Sequence, residues 1–361
     1  LVNLHGEQHK SRRALETKVF RRDFFKYYES EIFPETLNET LAPFISSGAM
    51  DLVDFGYRVM VNLTADFTGL DRRQKTPEET ADLMALLRLF GKTATLAHAT
   101  GEKDTVRNDA AEALERFDDT YVQPSIDRRR SMLEKLHKGE IEEESLPRDI
   151  LMVLLRNEDN IELPREVITR EMAFFALAGA HTSIHTLTHA THELLGWLES
   201  HPTKRETILN EPRLIQKCIL ESIRLHPSSP IAARRALCPM TVESATLDKD
   251  AKVVIDLQAA NRSKEIFGQD ADQFNPDRIL PKGQSRYGLS FGQGMHACLG
   301  LNLAAGILPA EGKPVDHMGT IALIVEALVK KGIRKDPYQK PEKDPSTARD
   351  LWGYYPVRFQ S

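Results

Sequence analysis

The sequence predicts a mainly α protein, one large helix-rich domain over residues 1–361 with a few small β-sheets. Two observations carry that expectation. Apolar residues recur at helical spacing through most of the first three hundred positions. Runs with strand-like patterning are few and short. The composition, 41% hydrophobic and 28% charged over 361 residues, is globular. A chain of 40.8 kDa is expected to keep roughly 15,000 Å² of surface when folded and to bury about three quarters of what it exposes unfolded. Such a core is deep enough to enclose a bulky group.

In chain order, amphipathic spacing marks helices over 15–28, 50–63, 80–97 and 111–136. Thr68-Gly69-Leu70-Asp71 and Gly101-Glu102-Lys103-Asp104 punctuate them. The run Asp127-Arg128-Arg129-Arg130 reads as a solvated helix face. The longest helix opens at Pro164 and stops at His201-Pro202. At 1.5 Å per residue it spans roughly 55 Å. It is apolar on more than one face (Met172, Phe174, Phe175, Leu177, Ile184, Leu187, Leu194, Leu195, Trp197, Leu198), which places it centrally and buried. Strands are expected at 252–257 and 355–359. Residues 267–294 are rich in Gly, Pro, Asp and Asn and read as one long irregular stretch.

Charge and cysteine usage narrow the class. A net charge of −5 disfavours nucleic-acid binding, which draws on basic excess. Three cysteines, Cys218, Cys238 and Cys298, are too few for a disulfide framework and indicate a reducing, cytoplasmic setting. No apolar run approaches the length of a membrane-spanning helix, about 18 residues. The opening Leu1-Val2-Asn3-Leu4-His5-Gly6 carries neither Met nor a signal pattern, so the chain is expected to begin within a longer gene product.

The strongest motif is Phe291-Gly292-Gln293-Gly294-Met295-His296-Ala297-Cys298-Leu299-Gly300. Glycines ahead of a cysteine let the backbone turn tightly and approach a flat group. The following residues become helical, so the thiol is expected near a helix N-terminus that favours thiolate. Hydrogen bonds there would dampen the charge of a metal-bound sulfur. The spacing Phe-Gly-x-Gly-x-His-x-Cys-x-Gly resembles the haem-binding loop of the cytochrome P-450 family. The resemblance implies that Cys298 is the axial ligand of haem b iron and that Phe291 packs beside the sulfur. It also implies that Gly292, Gly294 and Gly300 shape the loop and that His296 lies near a haem propionate.

Further elements stand in the family's order. Glu221-Ser222-Ile223-Arg224 puts an acid and an arginine on one helix face and looks like the family's Glu-x-x-Arg element, with Arg278 joining it as a structural network. Arg234, with Arg235 as a rival one position on, looks like a propionate-binding arginine. His9 and Arg13, an i,i+4 pair, resemble the family's propionate-binding helix. Ala178-Gly179-Ala180-His181-Thr182-Ser183 resembles the oxygen-activation element. A mid-helix glycine marks close approach of something bulky, and Thr182 can bond back to a carbonyl and bend the helix. Together these are expected to open a groove over a haem face. His181 replaces the acid that normally precedes the threonine, and histidine relays protons near neutral pH.

The resemblance implies a monooxygenase that hydroxylates a small apolar substrate, and a fold whose N-terminal part, including the loop capping the pocket, is absent here. Phe174, Phe175, Ala178 and 231–233 are expected to line that pocket. No flavin or nicotinamide fingerprint is present, so electrons are expected from a ferredoxin or flavodoxin with its reductase, docking near Arg12 and Arg13. Two other readings compete. One is a haem-binding sensor or carrier without turnover. The other is a non-haem metal bound by His181, His185, His189 and His192, the first three of which lie along one helix stripe; it is disfavoured because no carboxylate or cysteine obviously converges on it.

Overall fold

The computed structural model describes residues 4–94, 103–158, 163–345, 347 and 349–360. Helix α1 (Gly6–Glu16) and α2 (Arg22–Tyr27) lead through one wider turn into α3 (Phe33–Ser47). The expected helix over 15–28 is therefore two helices, because three successive i→i+3 bonds close a turn from Leu15, Glu16 and Thr17. Strand β1 (Ala49–Asp51) runs into α4 (Leu52–Thr68). Asp51 caps α4 by accepting from the Val53 N–H at 3.0 Å.

Next come α5 (Pro77–Ala94), α6 (Lys103–Phe117), α7 (Gln123–His137) and α8 (Ile150–Leu155). The end of the expected 80–97 helix and the Gly101-Glu102 breaker fall outside the described residues. Helix α9 (Arg165–Ser200) is the 36-residue central helix. It packs against α4, α5, α11 (Pro212–Leu225) and α15 (Thr320–Lys330). Its buried residues include Met172, Phe175, Ala180, Ile184, Leu187, Ala190 and Leu194. No helix among the described residues is long and apolar enough to cross a membrane.

Gly179 departs from expectation. A Cβ there would lie 2.8 Å from Thr64 Cγ2, so the bulk that approaches this glycine is helix α4. Its smallness sets the spacing of the two central helices and is not explained by a groove over haem.

Between α9 and α11 lies α10 (Pro202–Thr207). After α11 the chain forms β2 (Ile231–Arg235), the hairpin β3 (Met240–Val242) and β4 (Ala245–Leu247), and β5 (Lys252–Asp256). Strands β2 and β5 pair antiparallel, with Arg234 opposite Val253. Short helices α12 (Leu257–Ala260) and α13 (Lys264–Phe267) precede the irregular stretch, which holds no helix or strand from 268 to 293. Helix α14 (Leu301–Ala305) follows the Cys298 loop. The chain then leaves as a loop and returns at α15. Gln216 Nε2 ties the loop's base by donating to the carbonyls of His317 and Met318 at 2.7 and 3.0 Å.

Strands β6 (Ile333–Lys335), β7 (Glu342–Lys343), β8 (Trp352–Tyr354) and β9 (Pro356–Phe359) close the chain. One sheet has the order β1-β9-β6 and another pairs β7 with β8. The accessible surface, 19257 Å², exceeds the roughly 15,000 Å² expected for this mass. Large apolar side chains stand exposed on β2 and β5 (Ile231, Val254, Ile255) and in the Cys298 loop (Met295). Ile231 and Val254 share one face of the β2-β5 pair, and Ile255 lies on the other; the uncovered apolar side chains mark a binding surface.

Candidate active site

The Cys298 loop is built by its own backbone. Cys298 N–H donates to the Phe291 carbonyl at 2.9 Å, closing the turn that contains Gly292 (φ +67°) and Gly294 (φ +76°). Those left-handed angles favour glycine. A Cβ at either would meet nothing within 4 Å, so the backbone conformation demands glycine and the space in front of the loop is open. Gly300 differs: φ is −80°, and a Cβ would rest 3.8 Å from the Cys298 sulfur, an ordinary contact. Phe291 meets Tyr287 edge-to-face at 5.1 Å.

Burial pushes the Cys298 thiol up, against the N–H groups of Gly300 and Leu301 and the Arg13 charge, which pull it down. The expected thiolate-favouring helix terminus is thus weaker than the sequence suggested. Helix α14 has only five residues and little macrodipole. A metal cation is what would tip this sulfur to thiolate.

Beside the loop, α1 brings His9 and Arg13 together on one face, as their i,i+4 spacing requires. The His9 ring lies 4.3 Å from His296, and the His5 ring is 5.7 Å from it. Arg13 Nη2 donates to the Ala297 carbonyl at 2.6 Å. His296 titrates below its ordinary range, through desolvation and then the charges of His9, His5, Arg13 and Arg234. The exposed Arg234 is thereby part of the cluster, in preference to Arg235. His9 is buried, and its Nε2 has no hydrogen-bond partner. Among the described residues none of His9, Arg13, Arg234 and His296 pairs with a carboxylate. Four cationic or ionisable bases, an orphaned buried nitrogen, an open glycine turn and a thiol fit a flat dianionic metalloporphyrin.

The structure places Glu221, Arg224 and Arg278 in one buried network. Glu221 accepts from Arg224 through two bonds of 2.7 and 2.9 Å, and Arg278 Nε donates to it at 3.1 Å. Arg224 Nη1 also holds the carbonyls of Asn261 and Ala271, both at 2.7 Å. Arg278 adds Asp270 Oδ1 at 2.6 Å and the Gln273 carbonyl at 2.9 Å. Each bond is charge-assisted, and together they pin the start of the irregular stretch. Sequence reasoning missed Asn261. Its Nδ2 donates to the Arg224 carbonyl and to Ser290 Oγ, and its Oδ1 accepts from Leu289 N–H at 2.7 Å. It thus joins the ion network to the approach of the Cys298 loop.

On α9, Thr182 is exposed and its hydroxyl donates to the Ala178 carbonyl at 2.9 Å. The Thr182 carbonyl accepts from Thr186 Oγ1 at 3.0 Å and Ser228 Oγ at 3.1 Å. Ala178 and Phe174 are half-buried, whereas Phe175 is buried in the core, 6.0 Å from Phe20. Phe175 is therefore a core residue and not the pocket wall expected of it. His181 titrates below its ordinary range through burial and the Arg349 charge, so near neutral pH it is an uncharged imidazole.

Arg12 also corrects an expectation. It is largely buried and bonds Glu171 of α9 at 2.7 Å, where Glu16 is pushed up to about 8 by burial and then by Glu171. Arg12 thus holds α1 to α9, and with Arg13 turned onto Ala297 the pair forms no exposed basic docking face. Glu16, four residues after Arg12 on the same helix face, was the overlooked signal.

The histidine stripe does not converge. His181 and His185 meet edge-to-face at 5.0 Å, and His192 Nδ1 bonds the Tyr355 hydroxyl at 2.8 Å. His185 is held down to about 3 by burial first, then by His181 and Arg349. Its folded-state pKa lies below the unfolded value, so its contribution is complete above pH 6.5 and is lost as pH falls toward 3. The expected slope from this residue is about 1.4 kcal/mol of stability per pH unit in that window. Urea melts of haem-loaded protein in chelator between pH 7 and pH 4 should show it. His185→Leu should lose that increment, and an identical slope in the variant would refute the assignment.

A mainly helical domain with a cysteine in a glycine turn, a cationic cradle and a buried Glu–Arg–Arg clamp defines a haem-thiolate oxidoreductase. The comparisons with known proteins agree. The sequence model of the Cytochrome P450 family matches residues 2–308, and the chain belongs to that family, whose cofactor is haem b. It is 25% identical over 312 residues to pulcherriminic acid synthase of Bacillus subtilis, covering 84% of this chain and 70% of that protein. It is 27% identical over 231 residues to ganoderic acid synthetase CYP5150L8 of Ganoderma lucidum, covering 50% of this chain and 41% of that one. CYP109E1 of Bacillus megaterium in complex with testosterone shares the fold, with a TM-score of 0.73 and 20% identity over 100% of this chain and 86% of that one. CalO2 does so with a TM-score of 0.73 and 21% identity, covering 99% and 79%. As a P450 monooxygenase the chain is an oxidoreductase, which disfavours the carrier reading.

Proposed function

We propose that this P450 hydroxylates a small apolar organic substrate, drawing electrons from a separate ferredoxin or flavodoxin and its reductase. The observation that carries the reading is the convergence of His9, Arg13, Arg234 and His296 beside the Cys298 turn. Cys298 would bind the iron, and the four basic groups would pair with the propionates. When bound, haem supplies activation of dioxygen, with a thiolate that favours O–O cleavage.

The chain's own residues do the rest. Thr182 spends its hydroxyl proton on the Ala178 carbonyl, leaving oxygen lone pairs to accept from a water and so orient it for proton delivery. His181, uncharged near neutral pH, would relay a proton through its two nitrogens without acting as a standing acid. Phe174, Ala178 and 231–233 would hold the substrate by apolar contact; Ile231 is 42% exposed and open to it. Thr182→Ala is expected to uncouple reductant use from product. Product per reductant should fall about tenfold or more, a modest share of the 100–10,000-fold that a proton-transfer group can supply. Product assayed against oxygen and reductant consumed checks this, and unchanged coupling would remove Thr182 from the proton route.

A further inference from the structure

Three segments distant in sequence meet beside the central helix. His189 comes from α9, His226 from the end of α11, and Asp350 from the turn between β7 and β8. One ligand atom from each lies within 4.8 Å of the other two, and among the described residues no other such grouping exists. We propose that His189, His226 and Asp350 form a second metal site, separate from the haem iron, that binds a divalent transition metal such as Zn²⁺.

The hydrogen bonds support this beyond proximity. His189 Nε2 meets the Asp350 backbone carbonyl at 2.7 Å. A carbonyl only accepts, so Nε2 carries the proton. The lone pair is then on Nδ1, which is buried without a partner. His189 itself is 3% exposed. His226 Nε2 lies 2.7 Å from Glu193 Oε1, which leaves Nδ1 for a ligand. A histidine oriented by a carboxylate through its far nitrogen is the usual outer-shell arrangement at zinc. The two rings stack 4.2 Å apart at 8°, so their in-plane lone pairs lie in parallel planes and one ring has to rotate for both to share an ion. Asp350 supplies the carboxylate and is ion-paired with Lys343. Lys343 Nζ occupies its Oδ1 at 2.7 Å, and Oδ2 remains for the metal.

Two imidazoles and one carboxylate suit Zn²⁺ with a water as fourth ligand. The ion would staple the turn between β7 and β8 to the middle of α9 and to the residue two beyond Arg224. The site is the histidine stripe's one convergent member, completed by partners that the stripe's own spacing does not contain.

The test is Zn²⁺ titration of the haem-loaded, tag-free full chain by calorimetry, with zinc and iron counted separately by elemental analysis. One zinc per chain is expected, retained on dialysis against buffer, with X-ray absorption showing two imidazoles and oxygen. Asp350→Asn alters an exposed side chain, so the fold should survive, and it should weaken binding at least tenfold. Glu193→Gln should weaken it by a similar factor. His226→Gln should abolish it while the haem spectrum is kept. Zinc binding undiminished in both Asp350→Asn and His226→Gln, sulfur in the zinc shell, or no zinc retained by the parent chain would each overturn the proposal.

Discussion

Cys298→Ser is expected to abolish the red-shifted carbonyl band that a thiolate ligand would give reduced haem under carbon monoxide. No other described cysteine stands in: Cys218 is buried in α11, and Cys238 lies in the exposed segment before β3. The cationic cradle is untouched by the change, since Arg13 bonds the Ala297 carbonyl and His9 packs on His296. The variant should therefore still take up haem, more weakly and with an unshifted band. Monooxygenase activity should fall to background, because serine oxygen does not supply the electron donation that favours O–O cleavage. Persistence of the red-shifted band would exclude Cys298 as the ligand.

Arg224→Leu should give the largest loss of structure. Arg224 is 0% exposed, and its guanidinium makes two bonds to Glu221 and bonds to three carbonyls, including Gln273 at 3.4 Å. Removing it leaves a buried carboxylate whose remaining cation is Arg278. Breaking a buried pair in this way costs about 3–5 kcal/mol. The irregular stretch loses its anchors at Ala271 and Gln273, and Asn261 loses one of its two bonds to residue 224, which weakens the approach to the Cys298 loop. Haem content per chain should fall to a small fraction of the parent's, with a lowered melting temperature. Arg224→Lys keeps the charge but not the fork and should recover part of the stability and little of the haem. Parent-level haem content and melting temperature in Arg224→Leu would show that the clamp does not hold the site.

What the sequence reveals follows from how local each feature is. The Cys298 turn is contiguous, and its glycine angles, its N–H to carbonyl closure and its thiol all lie within ten residues. His9 with Arg13, and Glu221 with Arg224, are one helical turn apart, so their pairing is visible from spacing. Arg278 was placed by resemblance alone, and the structure bonds it to the same carboxylate. Features made between segments were hidden. Gly179 reads as a site glycine until Thr64 is seen against it. Asn261 gives no periodic signal, yet it joins the clamp to the loop. Arg12 looks like surface charge until Glu171 faces it from α9. The histidine stripe looked like a metal comb lacking an acid, and folding supplies both the second imidazole and the acid from elsewhere for His189 alone. Apolar patterning likewise marked helical stretches well and the turn inside 15–28 poorly, since hydrophobic spacing continues through it.

The most direct test of the central claim is haemin titration of the purified chain, followed by reduction under carbon monoxide. Saturation at one haem per chain, with a red-shifted carbonyl band, is the expected result. A chain that stays colourless, or that binds haem without that band, would contradict it.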